Sequence, residues 1–283
     1  MLESTVVSVE QANEQLGEGS ALMVDLRKPE DYAAGHVPGA VNVAYDDLVR
    51  GEPPVGGLLP HPGTLAAAFG AMGLTSDRAV IAYDDDGNGR AGRLVWTLNA
   101  VGHNAPAAIM DGGFATWRER GFAVQAQIEP AIERVQTTRY EFALEHGLGL
   151  HTIADGEWIA EHLEDPAVRF LDTRTPAEYR GEDVRSARGG HIPGAINFNW
   201  LDMQDADRHK ALRPREELLA KLAAAGITPD KEVVAYCQTH QRSSHTFVVL
   251  KWLGFEHVRG YPGAWSDWGN ATDTPIVTGD TPR

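Results

Sequence analysis

The amino-acid sequence predicts an α/β protein of two tandem domains, each a mainly parallel sheet flanked by helices. Two observations carry this reading. Four landmarks recur in the same order at an offset near 150 residues, too long a period for a solenoid and therefore a tandem duplication. Within each copy, short apolar runs alternate with helix-patterned segments, the order that builds parallel sheets through crossover helices. The length of 283 residues fits two domains of about 140 residues each.

In chain order, the first landmark is VDLRKPEDY from Val24, matched by LDTRTPAEY from Leu171. The second is Gly35-His36-Val37-Pro38-Gly39-Ala40-Val41-Asn42, which returns as Gly190-His191-Ile192-Pro193-Gly194-Ala195-Ile196-Asn197 with Val changed to Ile twice. The third is VIAYD from Val80 against VVAYC from Val233, and the fourth is DGGFATW ending at Trp117 against PGAWSDW ending at Trp268.

In the first copy, Ala21–Asp25, Ala79–Tyr83 and Ala107–Met110 read as buried strands, with a helix over Ala91–Val101. In the second, Val168–Leu171 and Glu232–Tyr236 read as strands. Helices are expected over Arg215–Ala225, ending at Gly226, and over Ser243–Leu253, ending at Gly254 (glycines that suit a C-cap). The expected domains are residues 1–125 and 149–283, joined by a weakly patterned linker over 126–148.

Composition narrows the function. Forty acidic residues against twenty-five basic give a formal charge of −15, a surface that repels nucleic acid and anionic lipid. No apolar run reaches the roughly 18 residues of a membrane helix. The opening MLESTVVSVE lacks the basic start and apolar stretch of a secretory signal, so a cytoplasmic location is expected. One cysteine excludes an internal disulfide and a cysteine-based metal cluster.

That cysteine has a telling context. A buried strand runs into Cys237, followed by Gln238, Thr239, His240, Gln241, Arg242 and Ser243 and then an apolar helix. Ligands of open α/β sheets bind beyond the carboxyl ends of strands. A strand-to-helix turn also aims backbone N–H groups and the helix dipole at that point. Arg242 and His240 add positive charge or hydrogen-bond donors, conditions that turn a thiol into a nucleophilic thiolate.

These features resemble those of two-domain rhodaneses, the thiosulfate sulfurtransferase family. The resemblance rests on the paired D-x-R…P…Y and GH[VI]PGA[VI]N elements, the C-x4-R loop and the late DGGFATW/PGAWSDW pair, and it covers nearly the whole chain. It implies two rhodanese-like domains with the second domain's loop facing the cleft between them. The loop CQTHQRS is closer to bacterial tandem-domain thiosulfate sulfurtransferases than to the CG[SA]GVT of mercaptopyruvate sulfurtransferases. Those enzymes also place an Arg where this chain has Glu178, whose charge is expected to repel a carboxylate. Aligning the copies sets Asp84 opposite Cys237, so the first domain should be catalytically silent.

The resemblance implies a Cys237 persulfide formed from thiosulfate and discharged to cyanide, a thiol or a dithiol, with a sulfur-accepting protein as a further partner and no cofactor or metal. Donor binding falls to Gln238 through Ser243. Arg180, Arg185 and Arg188 are candidates as well, because the stretch from Tyr179 to His191 spans twelve positions where Tyr32 to His36 spans four. The rival readings are a mercaptopyruvate donor, a phosphatase of the same fold and a non-catalytic sulfur-carrier or regulatory module. Phosphatases of this fold have five residues between Cys and Arg, whereas four stand here, giving a ring suited to a single sulfur atom.

Other motifs are read as structural. The Gly87–Gly92 stretch matches a dinucleotide fingerprint, but three aspartates precede it. It also starts like a calcium loop, with Val95 where the chelating Glu belongs. His36 and His191 are expected to fix turns, Asp25–Arg27 and Asp172–Arg174 to pair, and Trp96, Trp117, Trp252, Trp265 and Trp268 to fill the core, with Trp265 able to line the cleft.

Overall fold

The structure, a computed structural model, describes residues 4–126, Tyr140 and 150–283. The linker expected over 126–148 lies outside the described residues apart from residue 126 and Tyr140. The first domain runs β1 (Val6–Val7), α1 (Val9–Gly17), β2 (Ala21–Asp25), α2 (Pro29–Ala34), β3 (Val41–Asn42), β4 (Arg50–Glu52), β5 (Val55–Leu58), α3 (Pro62–Ala71), β6 (Ala79–Tyr83), α4 (Gly89–Ala100), β7 (Ala107–Met110) and α5 (Gly113–Glu119). The second runs α6 (Gly156–Glu161), β8 (Val168–Asp172), α7 (Pro176–Arg180), β9 (Ile196–Asn197), β10 (Gln204–Asp205), β11 (Ala211–Leu212), α8 (Arg215–Ala224), β12 (Glu232–Tyr236), α9 (Arg242–Leu253), β13 (Val258–Gly260) and α10 (Ala264–Trp268).

Strand order is β1-β7-β6-β2-β3 in one sheet and β13-β12-β8-β9 in the other. Every pairing in both sheets is parallel. Helices cover both faces, so the central strands are buried on both sides and read as continuous apolar runs. Two antiparallel pairs, β4–β5 and β10–β11, stand outside the sheets.

The landmarks repeat because each holds a strand end in place. Arg27 lies 2.6 Å from Asp25, and Arg174 lies 2.6 Å from Asp172. Each guanidinium also donates to a glycine carbonyl, Gly35 or Gly190, at 2.6 Å. Arg27 sits over Phe114 at 3.9 Å and Arg174 over Trp265 at 4.4 Å, and Trp265 is buried in the core. The imidazole Nδ1 of His36 bonds Tyr32 O at 2.8 Å, and that of His191 bonds Tyr179 O at 2.8 Å. Each ring stacks on the same tyrosine. Both histidines are turn anchors.

The domains meet along α4 and α9, which share one hydrophobic core including Leu94, Leu98, Phe247 and Leu250. Gly92 permits the close approach: a Cβ there would lie 2.7 Å from His245 Cα. Both helices begin earlier than their apolar pattern predicts, at Gly89 and Arg242, because their first turns complete the loops that precede them. Among the described residues no helix is long and apolar enough to cross a membrane.

Candidate active site

Cys237 leaves the carboxyl end of β12 and is only 1% exposed. The loop 238–241 turns directly into α9, whose first-turn N–H groups have no intrahelical partner. Carbonyls on the outer side of the turn are held by the start of α10: Trp265 N–H donates to Cys237 O at 2.9 Å and Ser266 N–H to Gln238 O at 3.0 Å. Burial pushes the Cys237 thiol up. The Arg242 charge, the Ser243 hydroxyl and the N–H groups of Ser243 and Thr239 together outweigh it and hold the thiol below its usual value.

The first domain shows what this loop geometry binds. Asp84, at the position of Cys237, turns its own carboxylate into its loop. Oδ1 accepts from the N–H groups of Asp86 at 2.8 Å and Asn88 at 2.7 Å. Oδ2 accepts from Arg90 at 2.9 Å and Ala91 at 3.1 Å. The corresponding positions of the second loop are Thr239, Gln241, Ser243 and Ser244. An anion therefore already fills the first loop, which leaves its glycine-rich stretch no place for a pyrophosphate. Val95, the twelfth position of the calcium-loop pattern, is buried inside α4.

Around Cys237 the loop side chains have distinct attachments. Gln238 Nε2 donates to Ser186 Oγ at 3.1 Å and Arg185 O at 3.3 Å. Thr239 lies beneath the β4–β5 hairpin, where a Cβ on Gly57 would fall 2.2 Å from Thr239 O. Gln241 borders Gly89 at the start of α4. Arg242 donates to both oxygens of Glu178, at 2.7 and 2.8 Å. His240 is fully buried, bonds Ser243 Oγ through Nδ1 at 2.7 Å and meets the Trp96 ring edge-on.

Two electrostatic expectations need correction. Burial, aided by the Arg93 charge, drives His240 far below the usual imidazole range, so it is neutral and brings no positive charge to Cys237. Glu178 is no free charge repelling a carboxylate. Burial alone would raise its pKa, but the hydrogen bonds and charge of Arg242, with donors from Thr175, hold it down to about 2. Its negative charge is spent on Arg242.

The three arginines of the longer stretch go different ways. Arg185 lies 3.7 Å from Glu178 and 2.7 Å from Asp183, beside the Arg242 pair. Arg180 faces outward, paired with Glu182 at 2.8 Å and Asp280 at 3.6 Å. Arg188 is turned into the protein, donating to the carbonyls of Trp268, Ala271 and Thr274. Two first-domain residues that the sequence reading passes over, Tyr45 and Arg93, feel the charge of Cys237. The sequence signal for Arg93 is an arginine directly before the apolar run Leu94-Val95-Trp96; Tyr45 has none.

A parallel-sheet domain that ends a strand in a buried cysteine, ringed by N–H groups and closed by a helix, defines a cysteine-centred group-transfer fold. The chain belongs to the rhodanese-like domain family, whose model matches residues 8–120 and 155–271. It is 39% identical over 263 residues to a thiosulfate sulfurtransferase of Pseudomonas aeruginosa, covering 93% of each chain. It is 38% identical to that of Azotobacter vinelandii, covering 90% of each. A protein named sulfur carrier protein TtuD, from Thermus thermophilus, is 31% identical over 88% of this chain and 87% of its own length. Among solved structures, YnjE superimposes with a TM-score of 0.85 at 21% identity, covering 98% of this chain and 69% of YnjE.

Proposed function

We infer that the protein is a thiosulfate sulfurtransferase working through a persulfide on Cys237. The observation that carries this reading is a depressed, buried thiol at the centre of a loop whose first-domain twin holds an anion on four N–H groups. The Cys237 thiolate attacks the outer sulfur of thiosulfate. A new S–S bond forms, the bond of the donor breaks, and sulfite leaves with its electron pair. The terminal persulfide sulfur then carries the negative charge toward the N–H groups of Thr239, Gln241, Ser243 and Ser244. An acceptor, whether cyanide, a small thiol or a dithiol, attacks that outer sulfur, and the Cys237 thiolate departs unchanged. This is ping-pong covalent catalysis with no cofactor in either half-reaction.

The two relatives named thiosulfate sulfurtransferase support the choice of donor, and the sulfur carrier relative supports a protein thiol among the acceptors. A lone catalytic thiol suits a reducing compartment such as the cytoplasm, which keeps it from oxidising between turnovers. The second domain, 149–283, carries the chemistry, while the first, 1–125, covers the cleft and excludes water from the persulfide. The test is direct. Incubation with thiosulfate should add the mass of one sulfur atom and cyanide should remove it. Cys237→Ser should take up none, and sulfur uptake by that variant would overturn the mechanism, because the chain has no other thiol.

A further inference from the structure

We propose that Arg93, in the domain without a nucleophile, is a positioning residue of the active centre: it supplies a buried positive charge that stabilises the anionic sulfur of Cys237 across the domain boundary. The proposal rests on the sulfur-transfer reading for its purpose, but its evidence is geometric.

Three arginines are buried among the described residues: Arg27, Arg93 and Arg174. Arg27 and Arg174 each lie 2.6 Å from a carboxylate. Arg93 is fully buried and has no carboxylate partner among the described residues. Its hydrogen bonds go to backbone carbonyls: Nη1 to Gly57 at 3.0 Å, Nη2 to Leu48 at 3.1 Å and to Leu58 at 3.2 Å. Nε is buried without a partner among the described residues. A buried cation left without a counter-charge is among the most costly arrangements in a protein. Carbonyl dipoles offset part of that cost, and an anion arriving nearby offsets more.

The guanidinium stands against the Cys237 loop: it lies 4.8 Å over the Trp96 ring, whose centre is 4.3 Å from that of His240, and it bonds Gly57, on which Thr239 O packs. The titratable groups it interacts with there are the Tyr45 phenol, the Cys237 thiol and the His240 imidazole. Burial drives Arg93 down to about 10, with Tyr45 and Cys237 acting in the opposite direction. Tyr45 is pushed up to about 12, chiefly by burial, so it stays a neutral phenol. His240 is neutral as well. Cys237 is thus the group near Arg93 that carries negative charge during turnover. On its other side Cys237 faces Arg242, whose charge is shared with Glu178, and Arg185 lies one step further out. The guanidinium also pins the β4–β5 hairpin, through Gly57 and Leu58, against Thr239 of the active loop. One side chain therefore fixes both the charge and the cover of the sulfur site.

The test measures the pH dependence of Cys237 alkylation by iodoacetamide, which needs no sulfur transfer. A failure of the sulfur-transfer reading, seen as no uptake from thiosulfate, therefore leaves this result readable. Arg93→Gln should slow alkylation about threefold or more at a fixed pH below the thiol's midpoint, as expected for removal of a nearby opposite charge. Arg93→Lys, which keeps the charge but loses the fork of carbonyl bonds, should stay close to the parent. Equal slowing by both variants, or by neither, would overturn the proposal. Should Arg93→Gln fail to fold, Arg93→Met, which keeps the unbranched stem, takes its place: slowed alkylation is expected, and an unchanged rate would overturn the proposal.

Discussion

Arg242 and Glu178 form a two-pronged ion pair between the first turn of α9 and α7, with nitrogen–oxygen distances of 2.7 and 2.8 Å. The pair explains how a protein of net charge −15 keeps a cation fixed beside its thiol. Glu178 holds the guanidinium in one orientation, and the Thr175 hydroxyl and N–H hold Glu178.

Glu178→Gln should therefore act in two ways. In the folded protein Glu178 titrates at about 2, below its ordinary 4.5. Its contribution to stability is complete above the ordinary value and is lost as pH falls from there toward 2. Urea melts should show the variant destabilised by about 2 kcal/mol at neutral pH, with the gap closing on acidification. Freed of its partner, Arg242 should also speed thiol alkylation at pH values below the midpoint. A gap that persists unchanged to the acid end of the range would exclude the ion pair as its source.

Asp84→Ala should destabilise the first domain, because four buried N–H groups lose their acceptor, at about 1–3 kcal/mol for each group left unsatisfied. Asp84→Asn, which keeps one acceptor oxygen, should cost less. Folded variant protein should turn over thiosulfate within a few-fold of the parent. A loss of a hundredfold in kcat, about 2.7 kcal/mol of transition-state stabilisation, would instead give Asp84 a part in the chemistry.

The duplication was legible because its landmarks are network residues whose identities cannot drift independently. The side chains of Asp25, Tyr32, His36 and Asn42 bond backbone groups within the stretch from Asp25 to Asn42, and so do their counterparts within the stretch from Asp172 to Asn197. The buried strands Ala21–Asp25, Ala79–Tyr83, Ala107–Met110 and Glu232–Tyr236 were readable to the residue, since both faces are covered. The hairpin Arg50–Leu58 was not, for its Gly-rich strands have no apolar face and are ordered by Arg93 and Thr239. Arg93 itself was illegible for the same reason. Helix periodicity records which face is buried, but not that the opposite domain does the burying. His240 misled because charge was read from residue type, while burial decides its protonation.

His240→Asn tests that correction. Asparagine tolerates the left-handed backbone found at this position, where φ is 57°. Because the imidazole is neutral, the thiol's alkylation profile and the Michaelis constant for thiosulfate should stay within about twofold of the parent. Thermal stability should fall with the loss of the Ser243 bond and the Trp96 contact. A tenfold rise in the Michaelis constant would show a charged imidazole in the cleft.

Gly92→Ala should force α4 and α9 apart, since the new methyl would meet His245 Cα at 2.7 Å, where backbone cannot yield. Overpacking of this kind costs about 1–3 kcal/mol. Calorimetry should show a lowered melting temperature, and Cys237 should become more accessible to bulky thiol reagents. An unchanged melting temperature would mean that the helices slide past each other without loss.

Gly92 and His245 stand at matching positions of the two repeats, as do Arg93 and Thr246. A contact between matching surfaces is what a symmetric homodimer makes, and there the same residue must appear on both sides of the axis. Two histidines could not share the space that Gly92 leaves open, and two unpaired guanidiniums at one seam would repel. Placing both copies in one chain removes that constraint. Each side of the seam can therefore carry its own residues, glycine and arginine on one, histidine and threonine on the other.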